Sequence, residues 1–359
     1  MIICIVNNIA HVTKFIEVFE LNNKNEYVLF MLTNREEEFV RLFDDLCKHY
    51  FKNQFDYLII KEYPKKLSKF KDFRIYLQEV YNSIIKNNNN ISSIVIFNDE
   101  DVISYYFAYK LKRTQGVKVI MIEDGVALYL NRSFSMKKYL FKKLKLHIKE
   151  LILHQKLYLG SQGGSKVVEE YYCCYPEYLS KKLGNKAVIK KLKFPNYSNQ
   201  IVINFFSNYF KNFEEDYSDK AIFVSQPLSE DMIITCNEEK QAFLRLMKKL
   251  HISKNMINVK LHHRDNLSKY SDYNILNISR HIPFEYVMFF IKPKSIIGFY
   301  STALINLMNE ISFNIVLYIP DCLKRNLPID LINFCMYVCQ RNNKLFIQDN
   351  ELIEIKEEK

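Results

Sequence analysis

Two carboxylates and a glycine, Glu123-Asp124-Gly125, follow directly on the apolar run Val117-Lys118-Val119-Ile120-Met121-Ile122. A β-branched run of that length reads as a buried parallel strand. Open α/β sheets bind ligands beyond the carboxyl ends of their strands, so the acid pair stands where a catalytic acid or base would act. The chain has 7 glycines, which makes one placed directly after paired acids informative. The competing reading is a strand-end turn with solvated acids.

Three further strand ends, all in the second half, present polar groups. Ser225-Gln226-Pro227-Leu228-Ser229-Glu230-Asp231 follows a strand ending at Val224. Lys260-Leu261-His262-His263-Arg264-Asp265 concentrates cations and imidazoles, and Gly298-Phe299-Tyr300-Ser301-Thr302-Ala303-Leu304 ends a strand in glycine and hydroxyls ahead of a helical run. Ser301 or Thr302 can cap that helix, whose unpaired N–H groups favour an anion. Singly, these are an ordinary loop, an exposed charged turn and a plain N-cap. Together they set an acid pair in one half against His, Lys, Arg and hydroxyls in the other. That combination suits a nucleotide-sugar donor, with its phosphate on the second domain and acceptor deprotonation from the first. His11, after Asn7-Asn8 at the end of the first strand, either touches the acceptor or starts a helix.

The elements that must position these groups alternate. Ile2 to Val6, Tyr27 to Leu32, Phe55 to Ile60, Ile91 to Phe97 and Val117 to Ile122 read as strands, with helices at Glu36 to Tyr50 and Lys69 to Lys86. The pattern restarts with strands at Lys220 to Ser225, Asn258 to Leu261, Ser295 to Phe299, Ile315 to Tyr318 and Lys344 to Ile347. Helices fill the intervals at Glu238 to Leu250 and Pro283 to Ile291. Strand–helix alternation predicts parallel sheets covered by helices, here as two α/β domains with a cleft between them. The boundary is expected in the polar segment Asn212 to Ser218, giving domains 1–215 and 216–359.

Composition narrows the class. With 359 residues, 48% hydrophobic and 25% charged, the chain is a folded protein of two ordinary domains. No window approaches the ~20 apolar residues of a spanning helix. The start Met1-Ile2-Ile3-Cys4-Ile5-Val6 lacks the basic segment and cleavage site of a signal peptide, which predicts a cytoplasmic protein. The 8 cysteines form no CxxC pair and no zinc-ligand spacing, so no metal site is expected.

The formal charge of +11 requires an anionic partner class. Much of it sits at Lys137, Lys138, Lys142, Lys143, Lys145 and Lys149, interleaved with Tyr139, Leu140, Phe141, Leu144, Leu146 and Ile148. As a helix this segment is either a basic amphipathic surface for anionic lipid or a core helix with a solvated lysine face. No nucleic-acid-binding motif accompanies the charge.

Glu123-Asp124-Gly125, Lys260-Leu261-His262-His263-Arg264 and Ser301-Thr302 resemble, in order and spacing, motifs of the bacterial sialyltransferases of glycosyltransferase families 52 and 38. These enzymes of capsule and lipooligosaccharide synthesis carry an Asp/Glu-Asp/Glu-Gly motif, a Lys-x-His-Pro-Arg motif and a later Ser/Thr pair. Ser225-Gln226-Pro227-Leu228 resembles the element opening their nucleotide-binding domain, and Ile282-Pro283-Phe284-Glu285 their Pro-x-Glu element. The resemblance spans Val117 to Leu304. It departs at His263, which stands where the family has proline; His262 is the aligned imidazole, with His263 as an alternative.

The resemblance implies a GT-B fold of two Rossmann-like domains. It also implies inverting, metal-independent transfer of N-acetylneuraminic acid from CMP-sialic acid, with no cofactor. The acceptor would be a hydroxyl of a galactose- or sialic acid-terminated cell-surface glycan, and the enzyme would work at the inner face of the plasma membrane. Glu123 is expected as the base with Asp124 close behind, because adjacent side chains on an extended segment point opposite ways; Asp231 and Glu230 are further candidates. His262 would protonate or stabilise the departing CMP phosphate, helped by Lys260, Arg264, Ser301 and Thr302. Glu285 would hold the ribose, and Gly125 and Gln226 would complete substrate binding. The alternatives are a GT-B enzyme using another nucleotide sugar, and a non-enzymatic basic protein that binds polyanions or membranes.

Overall fold

The computed structural model describes residues 1–19, 27–33, 37–51, 55–61, 70–87, 90–131, 136–184, 187–211, 215–262, 264–279, 281–310, 312–349 and 352–353. The chain divides into two compact units, Met1–Lys193 and Phe194–Lys359.

In the first unit, strands β1 (Ile2–Val6), β2 (Tyr27–Thr33), β3 (Phe55–Lys61), β4 (Ser93–Ile96), β5 (Lys118–Ile122), β6 (Glu170–Cys173) and β7 (Val188–Lys191) form one sheet. Its order is β3-β2-β1-β4-β5-β6-β7 and every pairing is parallel. Helices α1 (Ile9–Phe19), α2 (Glu37–Phe51), α3 (Phe70–Asn87), α4 (Val102–Gln115), α5 (Met136–Leu153) and α6 (Pro176–Leu183) make the crossovers. All five residues of β1 and all four of β4 are buried, as a strand covered by helices on both faces requires. Strand order reverses at β1, so the ends of β1 and β4 bound a topological switch point, with β5 next to it. Asp101 caps α4 through the Ser104 N–H, and Gly116 ends it at φ 68°, a left-handed backbone that favours glycine.

The second unit repeats this winding. Its strands are β8 (Ala221–Val224), β9 (Ile257–Lys260), β10 (Asn274–Ile275), β11 (Ser295–Gly298), β12 (Ile315–Ile319), β13 (Leu345–Gln348) and β14 (Leu352–Ile353). They lie in the order β10-β9-β8-β11-β12-β13-β14, parallel except for β14 at the edge. The helices are α7 (Gln200–Phe210), α8 (Cys236–Lys249), α9 (Phe284–Ile291), α10 (Thr302–Leu307), α11 (Asp321–Lys324) and α12 (Ile329–Arg341). A capping box of Thr235 and Glu238 starts α8. Here the switch point lies at the ends of β8, β9 and β11. Gly298 is fixed by crowding: a Cβ there would sit 2.9 Å from the Val224 carbonyl oxygen and 2.8 Å from Leu304 Cδ1.

The division falls earlier than the expected 215/216 boundary, and aromatic packing gives the reason. Phe206 stacks on Tyr286 at 4.7 Å and Phe210 on Phe290 at 4.6 Å, which fastens α7 to α9 of the second unit. Residues 212–214 of the expected linker lie outside the described residues. Cys236 is exposed and the other cysteines are buried. Among the described residues, no helix is long and apolar enough to cross a membrane.

Candidate active site

The acid pair sits immediately beyond β5, and burial separates its members. Glu123 is 1% exposed. Its Oε2 accepts hydrogen bonds from the Tyr129 hydroxyl and, at 2.7 Å, from the Cys174 N–H. Tyr129 in turn accepts from the Tyr175 N–H at 3.1 Å, and burial, with the Glu123 charge second, raises its pKa well above that of ordinary tyrosine. The Glu123 carboxylate thus ties β5 to the segment after β6. The Asp124 side chain is 37% exposed. Burial thus distinguishes the two acids: Glu123 holds the motif together and Asp124 is the accessible one.

Two residues of α1 brace this motif. Lys14, 1% exposed, donates from Nζ to the carbonyl oxygens of Glu123 (2.9 Å) and Asp124 (3.4 Å). His11 lies in the first turn of α1, its N–H bonded to Asn8 Oδ1 at 2.8 Å, and its ring stacks on Phe97 with centroids 3.9 Å apart. The Asn7 N–H donates to His11 Nδ1 at 3.1 Å, which puts the ring proton on Nε2, 2.6 Å from Asp124 Oδ1. His11 is buried in the first turn of α1 and touches the acid. No motif pointed to Lys14. The only trace of this pair in the sequence is the polar Asn7-Asn8 step after a fully apolar first strand.

The second unit gathers three strand ends. The Ser225 hydroxyl shares its single proton between the Lys260 carbonyl (3.2 Å) and Asp265 Oδ2, and accepts from the His262 N–H (2.9 Å). Gln226 Nε2 donates to the Tyr300 carbonyl at 2.5 Å, joining the ends of β8 and β11. His262 is half-buried, and its Nδ1 accepts the Arg264 N–H at 3.2 Å, which leaves the neutral ring's proton on Nε2. His263 lies outside the described residues. Ser301 stands at the N-cap of α10 without bonding the helix through its side chain, and Thr302 follows at the first helical position.

Other expected ligands are placed differently. Lys260 is 5% exposed and its Nζ is 3.5 Å from the Leu261 carbonyl, an interior position. Arg264 forms a bidentate pair with Asp231 (2.6 and 3.1 Å), joining the loops after β8 and β9. Glu230 pairs with Lys269 at 2.8 Å, so both alternative acids are occupied as loop braces. Glu285 is 4% exposed and accepts from Asn306 Nδ2 at 2.6 Å. Gln226 Oε1 and Asn306 Oδ1 are buried acceptors with no hydrogen-bond partner.

Lys269, unremarked in the sequence, anchors the second site. It is buried among Asp265 (2.6 Å), Glu239 (2.8 Å) and Glu230 (2.8 Å). Burial works against its charge, yet the three carboxylates together hold its pKa above the ordinary lysine value. Asp265 links this cluster to the His262 N–H at 3.2 Å. An ammonium therefore occupies the point where these carboxylates converge. Among the described residues, no group of three His, Cys, Asp or Glu side chains is arranged to hold a metal ion.

The class follows from the two sheets: each unit is Rossmann-like, and the whole is a GT-B glycosyltransferase fold. The structure of LpCGTa in complex with UDP aligns with a TM-score of 0.51 at 10% identity, covering 99% of this chain and 87% of that one. Weaker likenesses are Os79 from O. sativa (TM-score 0.47, 8% identity, 89% and 80% covered) and the UDP-GlcNAc 2-epimerase from Methanocaldococcus jannaschii (0.45, 13%, 88% and 82%). At these identities the likeness concerns the fold alone. No curated protein matches the sequence. The alpha-2,8-polysialyltransferase (POLYST) family matches residues 2–316, and the chain belongs to that family. It is a sialyltransferase-type glycosyltransferase; the narrower assignment to families 52 and 38 rests on the sequence motifs.

Proposed function

We propose that the protein is an inverting, metal-independent sialyltransferase that moves N-acetylneuraminic acid from CMP-sialic acid to a hydroxyl of a sialic acid-terminated cell-surface glycan. The observation that carries this reading is the division within the acid pair: Glu123 is locked in the interior, while Asp124 is accessible and oriented by His11 Nε2. Asp124 is the base that takes the acceptor proton as the sialyl centre becomes oxocarbenium-like. His11 fixes its direction through the 2.6 Å contact from Nε2 to Oδ1.

On the second unit, His262 donates from Nε2 to the CMP phosphate as the bond to the sugar breaks. Ser301 and Thr302 bind that phosphate at the start of α10. Arg264, paired with Asp231, and the interior Lys260 brace the loops that carry His262. Gln226 Oε1 and Asn306 Oδ1 lack protein donors, and a donating group of the nucleotide would satisfy such acceptors. With Glu285 bound to Asn306, the ribose contact passes to that pair. Membership of a family described as alpha-2,8-polysialyltransferase favours a sialic acid-terminated acceptor over a galactose-terminated one.

CMP release from CMP-N-acetylneuraminate, with a sialylated oligosaccharide and EDTA present, tests this reading. Acceptor-stimulated release with extension of the oligosaccharide is expected. Turnover of a UDP-sugar in its place would assign another donor. Failure to bind CMP, together with salt-sensitive binding of polyanions, would replace the enzyme with a basic binding protein.

A further inference from the structure

Helix α5 turns its apolar side outward. Leu140, Leu144 and Leu151 are 56%, 59% and 63% exposed, and Phe141 is 58% exposed. At helical spacing these four fall within a face about 100° wide that also carries Ile148. Leu153 is buried on another face, and α5 packs against α3. The core-helix alternative therefore fails, because in such a helix the leucines would be inside and the lysines outside.

Cations border the stripe. Helical spacing sets Lys143 along one side, with the His147 imidazole beside it, and Lys145 and Lys149 along the other, with Lys145 Nζ 4.4 Å from the Phe141 ring centroid. A cavity of about 540 Å³ opens at the end of the stripe, between α4 and α5, lined by Lys110, Arg113, His147, Leu151, His154 and Lys156 among others. Glu150 is the carboxylate in this lining, and it is engaged by the Leu157 N–H (2.9 Å) and His147 Nδ1 (3.4 Å). Lys110 is held by neutral groups, the Tyr106 hydroxyl at 3.0 Å and the Gln78 side-chain oxygen. The cavity thus joins a concentration of positive charge to an exposed apolar stripe.

We propose that α5 and this cavity form a docking surface for an anionic lipid bilayer. The leucine stripe enters the interfacial layer, the flanking lysines reach the headgroups, and the cavity receives a lipid phosphate. A solvent-facing apolar stripe flanked by lysines is the arrangement that lies in a membrane interface. The chain's net charge of +11 draws it to a negative surface. The proposal stands independently of the donor sugar.

Sedimentation with vesicles of phosphatidylcholine, alone or mixed with phosphatidylglycerol, tests it on the full chain. Binding to the mixed vesicles is expected, weakened by salt and weak on phosphatidylcholine alone. Leu144→Glu with Leu151→Glu should lower the bound fraction at least about tenfold, and Arg113→Glu with Lys156→Glu should lower it too. An unchanged circular-dichroism melt would show that these variants fold. Failure to bind mixed vesicles, equal binding to both kinds, or undiminished binding by the leucine variant would overturn the proposal. A wild-type dimer that the leucine variant dissociates, without vesicle binding, would show the stripe to be a self-association face and overturn it as well.

Discussion

The two strand-end clusters are built with opposite charges in support. In the first unit an acid is the exposed group, and cationic or proton-donating side chains back it: Lys14 on the motif's carbonyls and His11 on Asp124. In the second unit an imidazole is the group at the surface, and carboxylates back it: Asp265 on the His262 N–H and, behind it, Glu239 and Glu230 around Lys269. In each case a buried partner of complementary character fixes a strand-end loop. Buried charge here positions loops, while Asp124 and His262 lie nearer the surface.

That contrast can be broken from either side. The largest effect expected is on turnover: His262→Ala should cut CMP release by about 10²- to 10⁴-fold, read from initial rates. Lys269→Met leaves carboxylates buried without their cation, and a loss of about 3–5 kcal/mol is expected in urea unfolding. Both target the second unit, and only the latter should change its stability strongly.

The first unit is sharpened by pH. Burial raises the Glu170 pKa, but hydrogen bonds from Lys118 and Lys190 outweigh this and bring it down to about 2. Its stabilising contribution is present above the ordinary glutamate pKa and is lost as pH falls towards about 2. Asp99 runs the other way. Burial, opposed by the Gly163 and Ser165 N–H groups, pushes it up to about 6, so its contribution is full below the ordinary aspartate pKa and lost as pH rises to about 6. Urea midpoints measured from pH ~7 down to ~3 should fall less steeply in Glu170→Gln than in wild type.

Smaller effects separate positioning from packing. His11→Phe keeps the ring beside Phe97 but removes the proton donor to Asp124. It should lower kcat about tenfold and leave donor KM near wild type. Arg264→Ala breaks an exposed pair with Asp231, and its melting temperature should move by no more than about 1 kcal/mol implies.

The sheet scaffold was legible where strands are buried on both faces. Ile2 to Val6 was read with its bounds, and β5, β8 and β11 to within a residue, because a covered parallel strand is a continuous apolar run. Strands β6 and β7 were missed: Glu-Tyr-Tyr-Cys and Val-Ile-Lys-Lys carry polar residues, and β7 is an edge exposed to water. At the site, motif order located the loops but not the burial within them. Glu123 and Asp124 are chemically alike in sequence, and only the Tyr129 and Cys174 partners distinguish them. Lys14, Asp265, Lys269 and Asn306 carried no signal, because a buried polar partner is defined by contacts from distant segments.

The decisive measurement compares Asp124→Asn with Glu123→Gln in acceptor-dependent CMP release, beside the urea unfolding of each. The account predicts that Asp124→Asn loses about 10²- to 10⁴-fold in kcat at near wild-type stability, while Glu123→Gln is destabilised and its folded fraction retains most of its turnover. A stable Glu123→Gln protein without turnover, beside an active Asp124→Asn protein, would contradict it.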